Sequence, residues 1–146
     1  MRSALARGAL RRVHHIAFNV RDLAASRRFW GEILGLVEMV GDTLPATLGK
    51  LVAEGRAASF VAPDGTVIDL FFEPNLVAPA PDPTVQFTRC NHLAFDIAPE
   101  HFDAAVAALI DHGVPIDHGP VSRPTGRGVY FYDPDGFLVE IRCDAT

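Results

Sequence analysis

Apolar positions along the chain change period in a fixed order, and the order occurs twice. Val13 to Val20 and His92 to Ile97 alternate or run apolar over strand length. Helix-start signals follow, Asp22 in one stretch and Pro99-Glu100 in the other. Leu23 to Leu34 and Phe102 to Ile110 then take helical spacing, with Phe102, Ala105, Val106, Leu109 and Ile110 on one side. Gly35 and Gly113 close the two helices. Further strands are predicted at Leu36 to Val40, at Gly49 to Val52 with Ala57 to Val61, and at Val67 to Phe72 in the first half. The second half gives Val114 to Asp117, Gly128 to Tyr132 and Phe137 to Cys143. Pro63-Asp64-Gly65 and Pro134-Asp135-Gly136 are the predicted hairpin turns.

Each half therefore reads β-α-β-β-β, and the halves are copies of one unit. HHIAFNVRDLAASRRFWGEILGL matches NHLAFDIAPEHFDAAVAALIDHGV, with His15 and His92 offset by 77 residues. SFVAPDGTVIDLFFE matches VYFYDPDGFLVEIRC, and each Pro-Asp-Gly precedes a carboxylate by four residues, which aligns Asp69 with Glu140 at an offset of 71. The predicted fold class is α+β, with two βαβββ modules in one chain. The organisation is a basic arm over 1–12, a first module over 13–73, a stiff Pro-rich linker over 74–87 and a second module over 88–143, all in one structural domain.

Composition narrows the class of partner. The 146 residues are 49% hydrophobic and 21% charged, which argues for a packed core, and no apolar run approaches the roughly 18 residues of a membrane span. Four of the 13 basic residues, Arg2, Arg7, Arg11 and Arg12, precede Val13, where there is no acid. The remaining chain carries 9 basic against 18 acidic residues and would repel a phosphate backbone, so no nucleic-acid partner is expected. The opening stretch lacks a secretory apolar segment and reads as an exposed arm. Two cysteines, Cys90 and Cys143, make no disulfide framework, which points to a reducing, cytoplasmic setting.

Pairing of the modules about a pseudo-twofold axis would bring equivalent inward-facing positions together. His15, His92, Glu140 and Asp69 would then converge as two imidazoles and one or two carboxylates, a metal-binding set. Strand alternation puts Val67, Asp69 and Phe71 on one face, and Leu138, Glu140 and Arg142 on another. Asp69 is one methylene shorter than Glu and is the weakest member, because a metal bond tolerates only about 0.2 Å of misplacement. His14 would point to the opposite face as a structural residue, and His101, His112 and His118 are expected at the surface. Arg127 is the candidate for an anionic substrate group, with Arg142 as an alternative, while Arg123 reads as an ordinary solvent-exposed charge. Phe29, Trp30, Phe60, Phe72, Phe95 and Phe131 read as core aromatics.

The opening HHIAFNVRDLAASRRFW and the closing YFYDPDGFLVEI resemble the vicinal oxygen chelate superfamily of glyoxalases, bleomycin-resistance proteins and extradiol dioxygenases, over about residues 13 to 143. The resemblance implies an α+β fold of two paired βαβββ modules forming a curled mixed sheet around one divalent metal, with helices outside and with ligands at His15, His92 and Glu140 and a fourth at Asp69 in members using two carboxylates. The metal could be Fe, Mn, Ni, Zn or Co. It also implies a small-molecule substrate bound through adjacent oxygens, and a homodimer, since relatives often complete or shield the metal cup across subunits. Lyase or isomerase chemistry is preferred on chain length, with Asp69 as a catalytic carboxylate, although such isomerases usually carry Glu there.

Three relatives supply alternatives. A ring-cleaving Fe(II) dioxygenase is suggested by Tyr130, which matches the extradiol active-site tyrosine, but the histidine expected before Val129 is absent. The fosfomycin-modifying relatives usually carry Thr where this chain has Ala17, which argues against that activity. A metal-free bleomycin-resistance-like binding protein is opposed by the presence of His15, His92 and Glu140.

Overall fold

A computed structural model describes residues 4–77 and 90–146, so the expected linker lies outside the described residues from position 78 onward. The described part of the arm, residues 4–12, is exposed and forms neither helix nor strand. The first βαβββ stretch comprises β1 (His15–Val20), α1 (Leu23–Arg27), β2 (Val37–Glu38), β3 (Ala57–Val61) and β4 (Val67–Phe72), with an additional helix, α2 (Ala46–Ala53). The second comprises β5 (Leu93–Asp96), α3 (Phe102–Asp111), β6 (Ile116–Arg123), β7 (Gly126–Tyr132) and β8 (Leu138–Asp144). These build two separate four-stranded mixed sheets, ordered β1-β4-β3-β2 and β5-β8-β7-β6, in an α+β fold.

The two sheets repeat each other in register as well as in order. β1 runs parallel to β4 and β3 antiparallel to it, so Ala17, Asp69 and Ser59 lie side by side. In the second sheet the same row is Ala94, Glu140 and Tyr130. The alignment of Asp69 with Glu140 thus has a backbone counterpart, and Ser59 is the positional equivalent of Tyr130.

The helices start where the sequence signals them. Asp22 Oδ1 accepts from Ala25 N at 3.0 Å, capping α1. The helix then loosens into a π-helical stretch over Arg28–Ile33, which carries Phe29 and Trp30 into the core. Gly35 takes φ +75°, and Leu36 N turns back to Trp30 O at 3.1 Å, ending the turn as a helix-terminal glycine does. Trp30 stacks on Phe18 of β1 at 5.6 Å and reaches Phe95 of β5 at 6.3 Å. Phe18 also meets Phe137 at 5.0 Å, so one aromatic cluster joins the two halves. Arg21 adds a polar tie, donating its backbone N and Nε to Asp135 Oδ1 at 3.2 and 2.9 Å. Full burial of Trp30, Phe60 and Phe131 contributes about 1.5–3 kcal/mol each relative to exposure.

Three elements differ from the sequence reading. Gly49 to Val52 is helix rather than strand: Leu48, Leu51 and Val52 sit at i, i+3, i+4 spacing within α2, and a short apolar run does not distinguish the two by period alone. β2 shrinks to Val37–Glu38, because only these residues pair with β3. β6 begins at Ile116 rather than Val114 and extends to Arg123, with register shifts between Ile116 and Val121 that its place at a sheet edge tolerates. The core aromatics hold except at Phe72, which is 40% exposed at the end of β4.

Candidate metal centre

β1 and β5 decide which side chains face outward. β1 turns Ile16, Phe18 and Val20 toward the core and leaves His15, Ala17 and Asn19 exposed; around β5 the inward set is Leu93, Phe95 and Ile97, and His92, Ala94 and Asp96 are exposed. In the second sheet this outward face assembles a pair of candidate ligands. Glu140, 8% exposed, projects from β8 beside Ala94, and His92 Nε2 lies 3.1 Å from its Oε2. Asn91 Oδ1 is 2.7 Å from His92 Nδ1. With the amide oxygen accepting, the ring proton resides on Nδ1, and Nε2 turns its lone pair toward the carboxylate. The ring nitrogen and the carboxylate oxygen, 3.1 Å apart, face a common point at which a bound cation would find both. An imidazole nitrogen and a carboxylate oxygen are the donors that divalent first-row metals take, and an outer hydrogen bond such as that from Asn91 orients a ligating ring. The pair fits part of a metal site.

The first sheet keeps its counterparts apart. Asp69 is buried and accepts from Ser59 Oγ at 2.7 Å, its partner across β3. His15 is exposed, and its Nδ1 lies 3.0 Å from Nδ1 of His14, also exposed. Among the described residues no three His, Cys, Asp or Glu side chains are gathered closely enough to hold one ion. Within a single chain His92 and Glu140 therefore meet, while His15 and Asp69 do not join them. The cause is the packing of the halves: the faces carrying Phe18 and Phe95 turn into the shared core, and the histidine faces turn outward.

Around Glu140 the face is richer than expected. Tyr130 stands across β7 from Glu140, with its ring 5.9 Å from that of His92. His118, expected as an unassociated surface residue, pairs with Tyr130 in the ladder and stacks on its ring at 4.1 Å. The bulged register of β6 brings it there. Asp117 binds both His118 and Tyr132; the Tyr132 hydroxyl and then the His118 ring hold its carboxyl below the ordinary range. Arg123 Nη1 donates to the Tyr130 hydroxyl at 3.3 Å. Arg127 lies on the opposite face of β7, where it binds Asp103 of α3 at 2.7 Å and covers the Phe102 ring at 4.4 Å. Arg142 is held by Asp96 and Asp144. His101 and His112 are exposed, the latter bonded to Ala108 O at 2.8 Å.

The alignment of Asp69 with Glu140 was readable in the sequence; the cross-strand partners Ser59 and Tyr130 and the His118 stack were not, because strand register sets them and a bulge breaks the alternation of β6. Gly128, two residues before Tyr130, was the available signal, since a glycine inside a strand often marks a close approach on its face.

Comparison with known proteins agrees with this architecture. The model of the Glyoxalase/Bleomycin resistance protein/Dioxygenase superfamily matches residues 12–141. A crystallised glyoxalase/dioxygenase from Nostoc punctiforme is 59% identical, with a TM-score of 0.92 over 100% of this chain and 99% of that one. The uncharacterized protein YaeR of Escherichia coli (strain K12) is 32% identical over 90% of this chain and 95% of its own. The metallothiol transferase FosB of Staphylococcus epidermidis (strain ATCC 12228 / FDA PCI 1200) is 31% identical over 88% of this chain and 79% of its own. No helix among the described residues is long and apolar enough to cross a membrane. The chain belongs to the glyoxalase/bleomycin resistance protein/dioxygenase superfamily, the vicinal oxygen chelate group.

Proposed function

We propose that this protein is a divalent-metal-dependent enzyme that takes a small substrate through neighbouring oxygens, with ligands supplied by two copies of the chain. His92 and Glu140 of one copy and His15 of the other form the set. The observation that carries this reading is the His92 Nε2 to Glu140 Oε2 approach at 3.1 Å, with Asn91 on the far ring nitrogen. The second copy is supported by the outward-facing His15 and by the edges: β1 bonds only β4, and β5 bonds only β8, within the described sheets. Unpaired edge strands invite a partner strand, and pairing there would bring the two histidine faces together. Asp69 is buried on the first sheet with its Oδ1 held by the Ser59 hydroxyl and does not join His92 and Glu140, so three protein ligands are proposed.

When bound, the metal supplies Lewis acidity to the substrate oxygens it holds. Tyr130, steadied by His118, offers a hydroxyl to a substrate oxygen beside Glu140. Asp69, opposite Ala17 in the ladder of β1 and β4, is the further carboxylate proposed for the reaction. Lyase or isomerase chemistry is the first reading. Ring-cleaving dioxygenase chemistry is the second, favoured by the two-His, one-Glu set and by Tyr130 next to it. The low cysteine content suits a reducing, cytoplasmic setting.

Elemental analysis after anaerobic purification tests the metal. The wild type is expected to hold metal that His92→Ala and Glu140→Ala both lose; a wild type that takes none after reconstitution overturns the reading. Oxygen uptake with catechols by an iron or manganese form supports the dioxygenase reading. Turnover without oxygen by a nickel, zinc or cobalt form supports isomerase or lyase chemistry.

A further inference from the structure

Among the described arginines that follow the arm, Arg123 alone lacks a carboxylate within 4.0 Å. Arg21 has Asp135, Arg27 has Glu38, Arg28 has Glu32 and Arg56 has Glu54. Arg127 has Asp103, and Arg142 has Asp96 and Asp144. In an acidic chain this is an uneven distribution of partners. Arg123 instead reaches from β6 to the Tyr130 hydroxyl at 3.3 Å, a long contact with a neutral group, and its guanidinium carbon is 5.8 Å from that ring's centre. A guanidinium presents several donors in a planar fork, and one hydroxyl leaves most of them to water.

The space beside it is cleared by glycine. Gly128 shares the Tyr130 face of β7, so one position that would carry a side chain between Arg123 and Glu140 is bare, whereas a Cβ on Gly126 would strike the Cys143 backbone. A Cβ on Gly128 would stand 3.0 Å from Glu140 Oε1, 3.6 Å from a Tyr130 ring carbon and 3.7 Å from Arg123 Nη1. One small gap is thus bordered by the candidate metal-binding carboxylate, an aromatic ring and a cation without a carboxylate partner. His118 stacks on that ring at 4.1 Å and steadies it.

We propose that Arg123 holds an anionic group of the substrate, a carboxylate in the simplest case, a few bonds away from the oxygens presented to His92 and Glu140. The substrate class is then a small hydroxy or keto acid bearing a second acidic arm. The assignment rests on the metal-chelate reading above, and it moves the anion-binding role from Arg127, which Asp103 and the helix face occupy, to Arg123.

Malate and 2-hydroxybutyrate form a suitable probe pair. Both offer the same hydroxy-acid chelate, and malate has a carboxylate where 2-hydroxybutyrate has a methyl. Wild type and Arg123→Ala, each reconstituted with zinc and assayed for zinc content, are titrated with both, following the Tyr130 and His118 ring signals by NMR. Wild type is expected to prefer malate by about ten- to a hundredfold, as a charge-assisted contact predicts, and the variant by less than about twofold at equal zinc content. Equal zinc with the malate preference retained in Arg123→Ala overturns the proposal while leaving the metal reading intact. If wild type binds no zinc, the metal reading fails, and Arg123 is judged on malate alone. Ring shifts in wild type that Arg123→Ala lacks then support the anion site, and identical titrations overturn it.

Discussion

Replacing Asp133 by asparagine should make the protein more stable at neutral pH and leave it nearly unchanged in mild acid. Asp133 opens the Asp133-Pro134-Asp135-Gly136 turn that leads into β8, and it is 5% exposed. Its Oδ1 accepts from Phe137 N at 2.8 Å and Asp135 N at 2.9 Å. Burial pushes the carboxyl up from 3.8 to about 6; the charge of Asp135 adds to the rise, and the backbone donors oppose it. An acid with a raised folded-state pKa binds more protons folded than unfolded between those two values. Stability therefore falls as pH rises from about 4 to about 6 and levels off above that. A shift of this size corresponds to an upper limit of about 3 kcal/mol, and relaxation of the turn brings the expectation to about 1–3 kcal/mol. Asparagine keeps a carbonyl oxygen for both backbone donors and removes the buried charge. Urea unfolding followed by circular dichroism at pH 4.5 and 7.5 checks this, with the advantage of Asp133→Asn over wild type growing between the two. A variant less stable than wild type at pH 7.5, or a difference independent of pH, would refute the reasoning.

Two further substitutions probe the packing. Gly31→Ala would set a Cβ 2.9 Å from the buried Phe60 ring, so a loss of about 1–3 kcal/mol is expected in thermal or urea unfolding. Ser59→Ala would strip buried Asp69 of its hydroxyl donor, costing about 1–3 kcal/mol, while metal content stays at the wild-type level because Asp69 lies outside the proposed ligand set. Loss of metal in that variant would return Asp69 to the set.

The repeat made most of the fold legible. Strand and helix periods, the Asp22 cap, the closing glycines and the two Pro-Asp-Gly turns all act locally, so residues a few positions apart reveal them. α2 was hidden because Leu48, Leu51 and Val52 form a run too short for its period to be read, and the extent of β6 beyond Asp117 because a bulge disrupts its alternation. His92 and Glu140 were legible as a pair because the repeat aligned them with His15 and Asp69. The Ser59 bond to Asp69 and the stack of His118 on Tyr130 were not, since cross-strand register sets them. Arg123 was passed over for the same reason: its neighbours are two glycines and a tyrosine on another strand.

Mixing two broken copies tests the central claim most directly. His15→Ala and Glu140→Ala are each expected to bind no metal alone, because every site in such a dimer lacks a ligand. Unfolded together and refolded, they form mixed dimers in which intact His15 of one copy meets intact His92 and Glu140 of the other. Recovery of metal in the mixture, measured by elemental analysis after gel filtration, is the predicted result. A mixture as empty as its two components would contradict ligation shared between copies.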